Sequence, residues 1–115
     1  MYSGLRIKAG SGKSTLINFI IKALGVPNYQ VAYVAYTGKA AAVLQAKGNP
    51  NATTVHRLLY RAEPRSNGTF YFRPRHKGEI KYRVIVVDEV SMLPKDMWDQ
   101  LLSHGIYVIA AGDPG

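Results

Sequence analysis

Apolar positions along the chain alternate between short extended runs and longer stretches with helical spacing. The extended runs, rich in β-branched and aromatic residues, cover Leu5–Ile7, Gln30–Tyr36, Arg83–Val87 and Ile106–Ala111. Between them, residues 16–24, 39–47 and 95–103 are typical of helices, and 53–59 of another helical turn or two with a threonine cap. The alternation predicts an α/β domain with three layers, in which helices cover both faces of a mainly parallel sheet.

The pattern breaks down in residues 61–82, which are punctuated by Pro64, Asn67-Gly68, Pro74 and Gly78. Such punctuation predicts a hairpin or another excursion outside the main sheet. The wider segment 57–83 interleaves eight basic side chains with aromatic ones, a composition suited to phosphates and stacked bases. It is either a hairpin that faces a nucleic acid or a solvated basic loop whose aromatic residues pack inward.

Composition narrows the class of protein. The 115 residues suffice for one domain with an apolar core, and 47% hydrophobic with 19% charged residues is ordinary for a globular chain. The absence of cysteine excludes disulfides, thiolate metal sites and a cysteine nucleophile, and fits a reducing compartment. No apolar run approaches the roughly 20 residues of a membrane span. We therefore expect a soluble, cytoplasmic protein with no membrane partner.

The net charge of +8 is unevenly distributed. Residues 1–56 contribute +6, residues 57–83 contribute +6, and residues 84–115 contribute −4. The first two thirds would attract a polyanion, and the last third offers the oxygen ligands that hard cations prefer.

A phosphate-binding loop is predicted where the first strand meets the first helix. Glycines there let backbone N–H groups approach phosphate oxygens, the helix N-terminus favours anions, and a lysine reaches the β- and γ-phosphates. Ile7 occupies the place of the usual first glycine, and the alternative is a glycine-rich turn with an exposed lysine. The residues expected to contact the nucleotide are Ala9, Gly10, Ser11, Gly12, Lys13, Ser14 and Thr15.

Asp88 and Glu89 follow the continuous apolar strand 84–87 and provide a second candidate element. At the carboxyl end of a parallel strand, Asp88 could hold Mg²⁺ together with Ser14, and Glu89 could polarise an attacking water. Lys13, Asp88 and Glu89 are thus the candidate catalytic residues, with ATP and Mg²⁺ as the expected ligands. The alternative is a solvated acidic strand end.

Several segments together resemble the RecD-like and Dda-like, 5′-to-3′ branch of superfamily 1 helicases. In order along the chain, they are similar to helicase motifs I and Ia, the threonine-histidine segment, motif II and the start of motif III. The segments are 9–14 (AGSGKS), 35–41 (AYTGKAA), 54–59 (TVHRLL), 87–93 (VDEVSML) and 112–115 (GDPG). The resemblance covers nearly the whole chain and implies a P-loop NTPase with a RecA-like α/β/α fold.

The resemblance also implies a path for single-stranded DNA. Thr37, Gly38 and Lys39 would lie along it, and Thr54 and His56 would support or contact it. A hydroxyl, a glycine N–H and a lysine are ordinary phosphate ligands. Taken alone, segment 37–39 could equally be a helix N-terminal cap, and His56 could be a packing residue beside two leucines.

The resemblance further implies that the chain is an incomplete motor. It would be one partial RecA-like domain, residues 1–115, with the basic excursion at about 61–82. Asp113 would lie at the nucleotide, and a second RecA-like domain would be a missing partner. Strand 106–111 should lie between the first and third strands, and a further strand should cover the first; without it we expect marginal stability or self-association.

The expected function is therefore the ATP-binding half of an ATP-dependent DNA helicase, encoded by a cell or by a phage and acting in the cytoplasm. Two alternatives belong to other classes. One is a different P-loop enzyme, such as a small-molecule kinase. The other is a non-catalytic nucleic-acid-binding fragment, in which Ile7 would mark a decayed phosphate loop.

Overall fold

The computed structural model describes residues 4–7, 13–88 and 92–111, with residues 4–7 and 13–14 described by their backbone alone. Among these residues, five parallel strands form one sheet in the order β1-β7-β6-β2-β3, and two antiparallel strands form a separate hairpin, β4-β5. The strands are β1 Gly4–Ile7, β2 Val31–Ala35, β3 Thr53–Thr54, β4 Tyr60–Pro64, β5 Phe70–Pro74, β6 Val84–Asp88 and β7 Tyr107–Ala111. The helices are α1 Lys13–Ala23, α2 Gly38–Ala46, α3 Val55–Leu59 and α4 Lys95–Leu102.

The centre of the sheet is its most apolar part. Strand β6 is buried from Val84 to Val87, because β2 and β7 flank it on either side and helices cover both faces. A continuous β-branched run suits such a position. Strand β7 lies between β1 and β6, as the helicase resemblance implies.

Two apolar clusters lie on opposite faces of this sheet. On one face, Ile17 and Ile21 of α1 pack on alternate residues of the strands, among them Val86 and Ile109. The other cluster is built from α3 and α4 and from the intervening strand residues, with Leu59 and Leu101 both fully buried. The predicted three-layer α/β/α arrangement is thereby confirmed, and the parallel strands direct every β-to-α connection to one edge.

The predicted hairpin is also confirmed. Strands β4 and β5 pair from Tyr60↔Pro74 to Pro64↔Phe70, and Gly68 provides the positive φ of 87° in the connecting turn. The three aromatic side chains of β5 point largely into solvent: Phe70 is 67%, Tyr71 41% and Phe72 62% exposed. The alternative in which the aromatic residues of the segment pack inward is therefore wrong for these three residues, whereas Tyr60 packs against the cluster of α3 and α4.

One element differs from the sequence-based expectation. Residues 53–54 form a two-residue strand, because Thr53 and Thr54 pair with Val34 and Ala35 of β2, so that α3 begins only at Val55. Helix α1 buries Ile17 and Ile21 but leaves Phe19 69% exposed. In the part of the chain that the structure describes, no helix is long and apolar enough to cross a membrane.

Candidate functional site

The candidate site lies along the carboxyl edge of the parallel sheet. In the β ladder, Asp88 pairs with Ala35, and Ala35 pairs with Thr54, so the ends of β6, β2 and β3 are level. On the other side, Val87 pairs with Ala110, and Ala111 pairs with Ile7 at the end of β1. At about 4.8 Å between neighbouring strands, the whole row of strand ends spans roughly 19 Å.

Helix α1 begins at this same edge, at Lys13, and five residues separate it from the end of β1 at Ile7. This is the strand-to-helix connection that the phosphate loop was predicted to occupy. The loop residues Ala9, Gly10, Ser11 and Gly12 lie outside the described residues, as do the side chains of Lys13 and Ser14. Thr15, in the first turn of α1, is exposed.

Asp88 is half-buried at the end of β6 and lines a groove of about 620 Å³. The groove lies between α1, which contributes Ile17 and Asn18, and the end of α2, which contributes Leu44. Asp88 takes part in a hydrogen bond, an ion pair or another electrostatic interaction in the structure. Glu89 and Asp113 lie outside the described residues.

The single carboxylate of Asp88 fits a magnesium ion that takes most of its ligands from water and phosphate oxygens. Among residues 4–7, 13–88 and 92–111, no three acidic, histidine or cysteine side chains come together in a group that could hold a metal. Mg²⁺ is usually held by one or two carboxylates, several waters and phosphate oxygens rather than by a cage of protein ligands. A single carboxylate at the strand end, near the start of α1, is consistent with that chemistry.

Segment 37–39 is exposed at the edge directly after β2. The Thr37 hydroxyl oxygen caps α2 by accepting a hydrogen bond from the backbone N–H of Ala40 at 3.1 Å. The predicted alternative of a helix cap is thus confirmed for Thr37. The cap uses one lone pair of the oxygen and leaves the hydroxyl proton available as a donor. Gly38 and Lys39 follow Thr37 as the first residues of α2, and both are exposed.

Thr54 has the same local role in α3, where its hydroxyl accepts from the backbone N–H of Arg57 at 3.2 Å. His56 lies two residues further on and is half-buried. Its ring stacks on Tyr60 with centroids 4.6 Å apart and meets the edge of Phe72 at 4.9 Å. The geometry makes His56 a packing residue between α3 and the hairpin, and its contact with DNA stays a prediction.

Motifs and composition did not predict the ion network at the base of the hairpin. Arg73 donates to Glu63 at 3.2 Å and to both carboxylate oxygens of Glu79 at 3.0 Å. Hydrogen bonds from Arg73 and from the backbone N–H of His76 lower the pKa of Glu79 to about 2. The only available signal was that Glu63 and Glu79 are the two acidic residues of a segment with eight basic ones.

A parallel sheet in which α1 follows β1 at the carboxyl edge, with an acidic residue ending a central strand, fits the class of P-loop NTPases. Residues 1–115 match the AAA domain family over their whole length, and the chain belongs to that family. Among solved structures it is similar to unliganded Pif1 from Bacteroides sp, with a TM-score of 0.58 and 24% identity over 96% of this chain and 28% of that one. That likeness shows the shared fold.

Three curated relatives point to one branch of the helicases. The RecBCD enzyme subunit RecD of Mycolicibacterium smegmatis is 32% identical over 91% of this chain and 23% of its own length. The ATP-dependent RecD2 DNA helicase of Deinococcus radiodurans is 35% identical over 90% of this chain and 14% of its own length. The ATP-dependent DNA helicase dda of phage T4 is 32% identical over 83% of this chain and 22% of its own length. The resemblance to the RecD-like and Dda-like branch is thereby confirmed, and the chain spans less than a quarter of the length of these relatives.

Proposed function

We propose that this chain is the ATP-binding part of an ATP-dependent DNA helicase motor. The observation that carries the proposal is the register of the sheet, which puts the exposed segment 37–39 and Asp88 at the same edge on neighbouring strands. Two of the relatives are named as ATP-dependent DNA helicases. A nucleotide at one strand end and a DNA strand at the next would lie close enough to affect each other.

The nucleotide would bind where α1 begins. Loop 9–15 would enclose the phosphates with its backbone N–H groups, and the positive end of the α1 dipole would favour their charge. The Lys13 ammonium would contact the β- and γ-phosphates. Asp113, just beyond the end of β7 in the sequence, would face the same phosphates from the strand next to β1.

Asp88 and Ser14 would hold Mg²⁺, which supplies charge neutralisation at the transferred phosphoryl group when it is bound. The Glu89 carboxylate would orient the attacking water and accept its proton. The half-buried position of Asp88 supports this assignment, because its carboxylate lines the groove beside α1.

Single-stranded DNA would cross the edge above β2 and β3. Lys39 would pair with a phosphate, while the Thr37 hydroxyl and the Gly38 N–H would donate to phosphate oxygens. Thr54 lies one strand further along the same row. His56 would support this path through its contacts with Tyr60 and Phe72.

The hairpin extends the candidate DNA surface away from the sheet. Phe70, Tyr71 and Phe72 are exposed, and the Arg65 guanidinium lies 5.2 Å from the centre of the Tyr71 ring. Exposed aromatic rings beside arginines suit stacked bases and phosphates. The whole motor would include a second RecA-like domain and would move 5′ to 3′, as the resemblance implies. It would act in the cytoplasm, either of the cell that encodes it or of the host of a phage that encodes it.

Separate binding assays test the two halves of the proposal. Lys13→Ala and Asp88→Asn should each weaken binding of a fluorescent ATP analogue with Mg²⁺, whereas the matched control Asp99→Asn should not. Lys39→Gln should weaken binding of labelled oligo(dT), whereas Lys22→Gln should not. Nucleotide binding without DNA binding would favour another P-loop enzyme such as a kinase. DNA binding unaffected by Lys13→Ala or by nucleotide would favour a non-catalytic nucleic-acid-binding protein.

A further inference from the structure

A second cavity, of about 410 Å³, opens at the β3 side of the sheet and shares four lining residues, Tyr82 among them, with the groove that Asp88 lines. Strand β3 pairs with β2 only at Val34 and Ala35, so the sheet does not close this side of β2 at Ala32 and Tyr33. These two residues line the cavity and precede the carboxyl edge by two to three positions, which is about 7–10 Å along a strand.

The cavity has an apolar floor and a cationic rim. Ala32, Leu58 and Ile80 are buried and form the floor. Arg57, Arg75 and Lys81 supply three positive charges to the rim. Within the described part of the chain, no carboxylate lies within ion-pair distance of these three side chains.

The single acidic residue that lines the cavity does not cancel this charge. Glu79 accepts two hydrogen bonds from Arg73 at 3.0 Å and a third from the backbone N–H of His76. Its negative charge is therefore matched by Arg73, which lies outside the cavity lining. The cavity keeps three cations for an anionic ligand.

Two tyrosines give the cavity a further recognition element. Tyr33 is half-buried in the wall and Tyr82 is 36% exposed at the rim. Aromatic rings beside arginine and lysine favour a ligand that joins a phosphate to a planar base. The volume lies within the range of about 300–1,000 Å³ that is common for small-ligand sites.

We propose that this cavity binds one nucleotide unit, with its phosphate between Arg75 and Lys81 and its base against Tyr82. The ligand is either a free mononucleotide or one nucleotide of a bound strand, since both present the same phosphate and base. None of residues 9–15, 37–39 and 88 lines this cavity, so substitutions at Arg75 and Lys81 leave the proposed phosphate loop and segment 37–39 unchanged.

Amide chemical-shift titrations of the ¹⁵N-labelled protein test the proposal. Thymidine monophosphate and short oligo(dT) are added separately, in a Lys13→Ala background that removes competition from the phosphate loop. We expect shifts at Thr53, Arg57 and Lys81. Arg75→Gln/Lys81→Gln should weaken binding about tenfold and lower the salt slope of oligo(dT) binding by about 0.7 per lost phosphate contact.

The control variant Lys22→Gln/Lys95→Gln removes the same charge from exposed positions elsewhere. Its affinity should stay within about twofold of the parent protein, since surface charges far from the site act only through screened fields. Tyr82→Leu should weaken thymidine monophosphate binding without changing the binding of inorganic phosphate.

The outcomes separate the two sources of ligand. Shifts with both ligands, or with thymidine monophosphate alone, support a free-nucleotide site, and shifts with oligo(dT) alone support a contact to a bound strand. No shift at these amides with either ligand would overturn the proposal. Equal losses in the Arg75/Lys81 and Lys22/Lys95 variants would overturn it as well, and neither result would bear on the roles of Lys13 or Lys39.

Discussion

Replacing Thr37 separates its two roles, that of a helix cap and that of a proposed DNA contact. In Thr37→Ala, the backbone N–H of Ala40 loses its 3.1 Å acceptor at the start of α2. Because this cap is exposed to solvent, water replaces part of the lost bond, and the expected cost is about 1 kcal/mol. With an unfolding entropy of about 2.1 cal/mol/K per residue over 115 residues, that corresponds to a fall in Tm of about 4 °C.

The DNA contact should show a different dependence on the side chain. A hydroxyl that donates to a charged phosphate contributes about 1.5 kcal/mol, so Thr37→Ala should weaken oligo(dT) binding by about tenfold. Thr37→Ser keeps the oxygen and should restore both the Tm and the affinity. Thr54→Ala removes a second cap of the same kind, at the start of α3.

Thermal unfolding followed by circular dichroism, and fluorescence anisotropy with labelled oligo(dT), measure the two effects in the same samples. An unchanged Tm in Thr37→Ala would refute the reasoning about the cap. A lowered Tm with unchanged affinity for oligo(dT) would make Thr37 a cap alone and would remove it from the DNA path.

Three further results are expected. Leu101→Ala, at a fully buried position in α4, should lower the free energy of unfolding by about 3–5 kcal/mol, whereas Leu24→Ala, at a 41% exposed position, should lower it by less than about 1 kcal/mol in denaturant titrations. Because the pKa of Glu79 is lowered in the folded state, its carboxylate stabilises the fold above the unfolded-state pKa near 4.5, and this contribution is lost as the pH falls towards about 2. In Glu79→Gln, the loss of stability between these pH values should be smaller than in the parent protein. An identical dependence of stability on pH in the two proteins would contradict this. Strand β1 pairs with β7 on one side and with no other described strand, so sedimentation velocity should show concentration-dependent self-association, and a monomer at all concentrations would refute this.

The sequence predicted the main sheet well because its strands carry strong local signals. The run Val84–Val87 is apolar at every position, and its place in the middle of the sheet follows from that property. The two-residue strand Thr53–Thr54 was missed, because its conformation is set by pairing with β2 rather than by its own pattern. Helix α3 therefore begins at Val55 rather than at residue 53.

The candidate site shows the same division. Asp88 and segment 37–39 could be placed at one edge, since parallel strands end together and polar residues follow each of them. The packing of His56 between Tyr60 and Phe72 could not be foreseen, because it depends on how the hairpin folds back on α3. The partners of Arg73 depend on the same fold-back, which brings Glu79 to the base of the hairpin.

The most direct test of the central claim is whether the two ligands affect each other. Labelled oligo(dT) is titrated into the protein at two salt concentrations, with and without a non-hydrolysable ATP analogue and Mg²⁺, and again in Lys13→Ala. We predict salt-sensitive DNA binding whose affinity changes with the analogue, and loss of that change in Lys13→Ala, because the two sites share one sheet edge. An affinity for oligo(dT) that is the same with and without the analogue would contradict the claim that this edge couples nucleotide to DNA.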